Sequence, residues 1–185
     1  HGKNRIRQGL ISDIRNSFSD LYETAFIFTE ATGHATDIAR QEVINGSDFI
    51  VAVTGDGTLN EVVNGIMQSG KKEIYLGLLP AGTGNDFART MKITASINEL
   101  KRLVDHRCAK TIDLGLMNYF GESGAPSERY FINIADVGIG GVIAQKLSHS
   151  SKTFGATLTF QKAIISTFLS FKHQWVNSKA DDFEY

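Results

Sequence analysis

Two short stretches put glycines, hydroxyls and acids together at turns: "TGDGTLNE" at 54–61 and "PAGTGNDF" at 80–87. In the first, Gly55 and Gly57 flank Asp56, and Thr58, Leu59 and Asn60 follow. Glycine tolerates φ > 0 and, having no Cβ, lets a ligand approach the backbone. An apolar run, "FIVAV" (49–53), precedes this turn, and Leu59, Val62, Val63 and Ile66 follow it on one helical side. The pattern predicts a strand, a glycine turn and a helix that opens at Thr58. The free N–H groups and dipole of that helix favour an anion such as phosphate.

Asp56 has two readings. It can hydrogen-bond its own turn. Alternatively, a carboxylate beside an anion site calls for a partner: a magnesium ion bridging to phosphates, or a hydroxyl whose proton it accepts during phosphoryl transfer. Thr58 and Glu61 spell T-x-x-E, a capping box that accounts for Glu61 as structure. Asn60, in the first helical turn, can face a ligand. In the second stretch Gly82 and Gly84 supply the turn, Thr83 sits between them, and Asn85 or Asp86 can cap a short helix. Neither stretch is a Walker A loop or a dinucleotide GxGxxG.

The elements that must hold these turns alternate. Helical spacing covers 5–18, 34–45 (with Gly46 placed to end it), 58–68, 85–91 and 96–106, where Ser96 and Glu99 form a capping box. Strands are expected at 24–29, 49–53 and 74–80. This rhythm predicts an α/β fold: an open, mostly parallel, Rossmann-like sheet with helices on both faces. Ligands of such sheets sit at the carboxyl ends of strands, where both glycine turns lie. The rhythm changes near Asp113. "TIDLGLMNYF" (111–120) and "RYFINIADVGIGG" (129–141) read as strands around a turn-rich loop, and 153–171 reads as an apolar helix. The expected division is a nucleotide-binding α/β domain at 1–115 and part of a β-rich second domain at 116–185.

The 185 residues carry a formal net charge of -1, so no basic field points to nucleic acid. One cysteine, Cys108, rules out a disulfide within the chain and fits a reducing, cytoplasmic setting. No His/Cys cluster suggests zinc, and no apolar run approaches the about 20 residues that span a bilayer. The chain opens without Met, and both ends read as cut.

Together the two stretches resemble the diacylglycerol kinase catalytic family, the lipid kinases that include bacterial diacylglycerol kinases and the sphingosine and ceramide kinases. That family carries a GGDGT-[LI]-NEV block and, one strand later, a PxGTxNDFAR block. Here they read "TGDGTLNEV" (54–62) and "PAGTGNDFAR" (80–89), and "TEATGHATDIAR" (29–40) resembles the family's T-E-x-x-G-H-A segment. "TIDLGLMN" (111–118) is similar to its domain junction. The resemblance implies transfer of the γ-phosphoryl group of ATP to a lipid hydroxyl, with Mg2+ as the metal. It implies nucleotide binding by Thr29, by Thr54, Gly55, Asp56, Gly57, Thr58, Leu59 and Asn60, and by Gly82 and Thr83. Asp56 is then the metal ligand, directly or through water, or the catalytic base; bacterial members favour an acid in a later region that this chain does not match.

Thr54 replaces the family's first glycine and would crowd the phosphates if φ there had to be positive. "HGKNR" (1–5) looks like the end of the turn that follows the family's first strand. The implied partner is a lipid delivered at a membrane surface, by peripheral contact without a transmembrane segment, and a homodimer stays open. The helix at 153–171 borders the lipid cleft or packs on its own sheet. Two other readings stand beside this one: a kinase of the same fold acting on a soluble substrate such as NAD, which the NDFAR block disfavours, and a noncatalytic nucleotide-binding module.

Overall fold

The computed structural model describes residues 8–18, 22–71, 73–121, 123–136, 138–149, 156–172, 179–180 and 183–184. The chain divides into two compact units, 1–133 and 134–185. In the first unit, α1 (Gln8–Phe18) and α2 (His34–Ile44) precede β1 (Phe49–Thr54), α3 (Asp56–Gln68) and β2 (Tyr75–Pro80). Then come α4 (Asp86–Met91), α5 (Ile97–Asp105) and an antiparallel pair, β3 (Gly115–Phe120) and β4 (Pro126–Phe131).

β1 and β2 are parallel, in register from Phe49 opposite Tyr75 to Thr54 opposite Pro80. Because strand side chains alternate between faces, this ribbon feeds two cores. Ala52 and Leu78 face one way, packing with Ala35 and Ala39 of α2, Leu59 and Val62 of α3, and Phe87 and Ala88 of α4. Leu79 lies in the other cluster with Ile14 and Phe18 of α1 and Leu100 of α5, and Val51 and Val53 pack against it. Helices therefore cover both faces, as the alternating pattern predicts. Leu59 and Val43 are 1% and 0% exposed, and burying such a side chain contributes about 1.5–3 kcal/mol.

α2 and α3 cross closely at Gly65. A Cβ there would lie 2.8 Å from Ala39 Cβ and 2.9 Å from Arg40 N, and closer still to the Thr36 carbonyl. Gly46 follows α2 at φ 115°, a conformation that suits glycine after a helix end. The Ser96 cap forms as expected: its hydroxyl accepts from Glu99 N at 3.2 Å.

Three expectations change. Residues 24–29 join no ladder; a strand exists only through a neighbour, and an apolar run supplies none. Phe26 packs into the α1–α5 core, while Ile27 and Phe28 stay exposed. α3 opens at Asp56 rather than Thr58, since a polar first turn belongs to the helix as readily as an apolar one. The strand expected across 129–141 ends at Phe131, and Ile139 starts a helix, α6 (Ile139–His149). Its half-buried residues Ile139, Val142, Ile143 and Leu147 follow helical spacing.

The second unit holds α6, α7 (Ala156–Ser170) and a two-residue pair, β5 (Lys179–Ala180) and β6 (Phe183–Glu184). The first turn expected of the last helix, 153–155, lies outside the described residues, as do 5–7 of the first. Lys146 on α6 donates to the hydroxyls of Ser166 and Ser170 on α7, at 3.5 and 3.4 Å. Among the described residues, no helix is long and apolar enough to cross a membrane.

Candidate nucleotide site at two glycine turns

The ends of β1 and β2 bring the two glycine stretches side by side. Ala81 N donates to Thr54 O at 2.9 Å, one step beyond the ladder. Gly55 has φ -99° and Gly57 lies inside α3, so neither uses the positive φ expected of it. Gly55 is required for a different reason. A Cβ on Gly55 would stand 2.9 Å from Gly82 Cα, and a Cβ on Gly82 would stand 2.5 Å from Gly55 Cα. The two turns touch backbone to backbone. Thr54 ends β1 without a positive φ, so it replaces the family glycine without strain, and its hydroxyl donates to Gly55 O at 3.3 Å.

Asp56 reaches across this contact. Its Oδ2 accepts from Asp86 N at 3.1 Å and its Oδ1 from Phe87 N at 3.0 Å. The carboxylate thus caps α4, a task expected of Asn85 or Asp86. Asn85, at φ 53°, turns its amide back instead: Oδ1 accepts from Gly82 N at 3.0 Å and Nδ2 donates to Gly82 O at 2.9 Å. Arg89 closes the turn from the outside, donating to Gly84 O at 2.7 Å and pairing with Asp86. α4 supplies the partner for Asp56 that the sequence suggested in a metal or a hydroxyl. Each carboxylate oxygen has two lone pairs, so each keeps one for a cation or a water.

Glu61 plays a similar part at another helix. The Thr58–Glu61 capping box does not form, because Thr58 is already helical. Glu61 Oε2 instead accepts from Ala35 N at 3.3 Å in the first turn of α2, and Thr36 Oγ1 donates to Glu61 O at 3.1 Å. Two acids of α3 therefore satisfy the starts of α2 and α4, and Ser96 satisfies α5. Among the described residues, no side chain accepts from the first N–H groups of α3. Among the described residues, a Cβ on Gly57 would meet nothing within 4 Å, so the space beside this glycine is open. An uncapped helix start beside open space is suited to an anion.

The remaining candidates divide. Thr58 on the first turn of α3 and Asn60 at the start of the second are half-buried, and Thr83 is exposed at the tip of the second glycine turn. Leu59 is buried in the core, leaving only its backbone near the site. Thr29 is exposed in the irregular segment before α2, and among the described residues no hydrogen bond ties it to either turn. Those residues contain no group of three or more His, Cys, Asp or Glu able to hold a metal. Asp56 fits the one-carboxylate contact that magnesium makes when phosphates and water complete its shell.

Asn64 escaped the sequence reading. It is 5% exposed on α3, donates to Asn60 O at 2.7 Å and Tyr130 O at 2.9 Å, and accepts from Tyr130 N at 2.9 Å. Its amide stands in for a neighbouring strand and fastens β4 to α3. A polar side chain flanked by buried Val63 and Gly65 was the signal that could have found it.

The sequence profile of the diacylglycerol kinase catalytic domain matches residues 1–117. Over 115 residues the chain is 40% identical to a diacylglycerol kinase of Staphylococcus haemolyticus (strain JCSC1435), covering 62% of this chain and 32% of that protein. A Staphylococcus aureus (strain JH9) diacylglycerol kinase is 39% identical over 114 residues, 62% of this chain and 33% of that one. The chain thus spans about a third of the length of the curated relatives it matches. A solved structure from Bacillus anthracis str. Sterne, provisionally assigned as a diacylglycerol kinase, is similar with a TM-score of 0.56 and 21% identity, over 96% of this chain and 59% of that one. That likeness bears on the fold, while the match over 1–117 decides the family: the chain belongs to the diacylglycerol kinase catalytic domain family.

Proposed function

We propose that the full-length protein is a lipid kinase that moves the γ-phosphoryl group of ATP to the hydroxyl of a diacylglycerol-like lipid, giving a phosphatidic acid. The carrying observation is the start of α3: among the described residues no side chain takes its first N–H groups, no atom crowds a Cβ at Gly57, and Gly82 of the second turn touches Gly55. Backbone N–H groups of Asp56, Gly57 and Thr58, with those of the second turn, would hold phosphate oxygens. Asn60 and Thr83 would add side-chain contacts, and Thr29 would approach the nucleotide from the segment before α2. ATP supplies the phosphoryl group and Mg2+ neutralises its charge, with Asp56 offering one contact, directly or through water. Catalysis of this kind rests on positioning and electrostatics more than on covalent work by the protein.

The relatives named diacylglycerol kinase support a lipid acceptor, and the protein would meet it by peripheral contact at the cytoplasmic face of a membrane. Transfer of radiolabelled phosphate from ATP to mixed micelles tests this reading, with diacylglycerol, sphingosine and NAD offered side by side. Label in diacylglycerol, dependent on Mg2+, is expected. Label in NAD alone, or in none of them despite ATP binding, would overturn it.

A further inference from the structure

We propose that Asp56 is a positioning residue: by capping α4 with both carboxylate oxygens it latches the second glycine turn onto the first, and the turn's phosphate donors depend on that latch. This rests on the kinase reading above. The turn that must be held is short. Gly82 N is engaged by Asn85, and Asp86 N and Phe87 N by Asp56. That leaves Thr83, Gly84 and Asn85 as its candidate donors, and among the described residues their N–H groups meet no protein acceptor. These three residues lie between two fixed points, the Asn85–Gly82 amide ring and the Asp56–α4 bonds.

Gly84 ties the geometry together from the other side. A Cβ there would come within 3.1 Å of Asp56 Oδ2 and 3.4 Å of Asp86 Oδ2. A side chain there would displace the Asp56 carboxylate by a few tenths of an ångström, so glycine suits the reach of Asp56 to α4 rather than an unusual φ; its φ is not positive. Two changes consequently disturb the same latch in different ways. Asp56→Asn keeps one acceptor but turns an NH2 toward the other N–H. Gly84→Ala keeps the carboxylate but pushes its Oδ2 off Asp86 N.

The test uses the full-length protein with ATP and diacylglycerol micelles, and measures kcat, KM for ATP and the pH profile for wild type, Asp56→Asn, Gly84→Ala and the double variant. Charge-assisted hydrogen bonds are the strong ones, so each single variant should raise KM for ATP about tenfold or more, with the acid limb of the profile retained. The double variant should resemble the worse single variant, because both act on one contact. Hydrogen exchange over 82–87 should quicken in both single variants while α5 stays protected.

Three results would overturn the proposal. One is a kcat loss on the order of 10²–10⁴ in Asp56→Asn at unchanged KM with the acid limb gone, which marks a general base. Another is multiplicative effects in the double variant. The third is unchanged exchange over 82–87. A wild type that transfers no label to any acceptor would instead sink the kinase reading, and the exchange measurement would still judge the latch.

Discussion

Replacing Asn64 by Leu should destabilise the chain by about 2 kcal/mol, and the figure follows from counting orphaned groups. Leucine has the same branched heavy-atom skeleton as asparagine with bulkier ends, so no cavity opens and water does not easily enter. The carbonyl of Asn60 keeps its helical bond and loses little. Tyr130 loses a partner for its N–H and one for its C=O, bonds of 2.9 Å each. A buried group left unpaired costs about 1–3 kcal/mol. Tyr130 is only half-buried, so water recovers part of that for two groups, leaving about 2 kcal/mol. For a chain of this size that is about 4–8 °C in Tm. Urea unfolding followed by circular dichroism gives the free energy, and hydrogen exchange at Tyr130 localises it. Asn64→Asp sharpens the argument. Its carboxylate can accept from Tyr130 N but would face the carbonyls of Asn60 and Tyr130, so the charged form is disfavoured and the folded-state pKa rises above about 3.9. A raised acid pKa means that stability is greatest at low pH and falls as pH rises through that window, then levels off. A loss below about 0.5 kcal/mol for Asn64→Leu, the range of ordinary surface changes, would refute the view that this amide fastens β4 to α3.

Other expectations follow from contacts of the same kind. Gly65→Ala should cost about 1–3 kcal/mol, because its Cβ meets backbone and Ala39 where α2 and α3 cross and neither helix can yield locally; a thermal melt indistinguishable from wild type would contradict this. Glu61→Ala should remove the acceptor for Ala35 N and cost about 0.5–2 kcal/mol, as loss of a helix cap does, whereas Glu61→Gln, which keeps an amide oxygen, should recover most of it in the same melt. Gly82→Ala should force the two turns apart and weaken ATP binding measured by calorimetry by tenfold or more, about 1.4 kcal/mol, with folding still cooperative; retained affinity would show that the close approach of Gly55 and Gly82 does not shape the site.

Much of this architecture was legible because it is periodic. The runs at 49–53 and 74–80 gave β1 and β2, and the helical spacing of Leu59, Val62, Val63 and Ile66 gave α3 its buried side. Ser96 and Glu99 announced a cap that forms. Local chemistry misled where the answer lay across the fold. The T-x-x-E pattern at Thr58 is a sound local signal, yet Glu61 turns to α2. Asp56 could be read as bonding its own turn or a metal, and it bonds a helix that begins 30 residues later. The apolar run at 24–29 had the composition of a strand but no ladder to join. Gly55 and Gly82 read in the sequence as turn residues free to take φ > 0, and neither does: spacing within a turn speaks of φ, and only the folded chain reveals that each glycine is the other's wall.

That wall has a consequence for how such a sequence can change. Gly55 and Gly82 stand far apart in the chain, yet neither position can accept a methyl group while the other's Cα stays where it is. Substitutions at the two sites are therefore not independent trials. A mutational walk that enlarges either residue first meets the whole steric penalty at once, and shrinking the other offers no relief, since nothing is smaller than glycine. The pair is an evolutionary dead end in both directions, whatever acceptor the rest of the protein selects. Variation, natural or in a designed library, has to enter elsewhere, while the two touching glycines stay fixed.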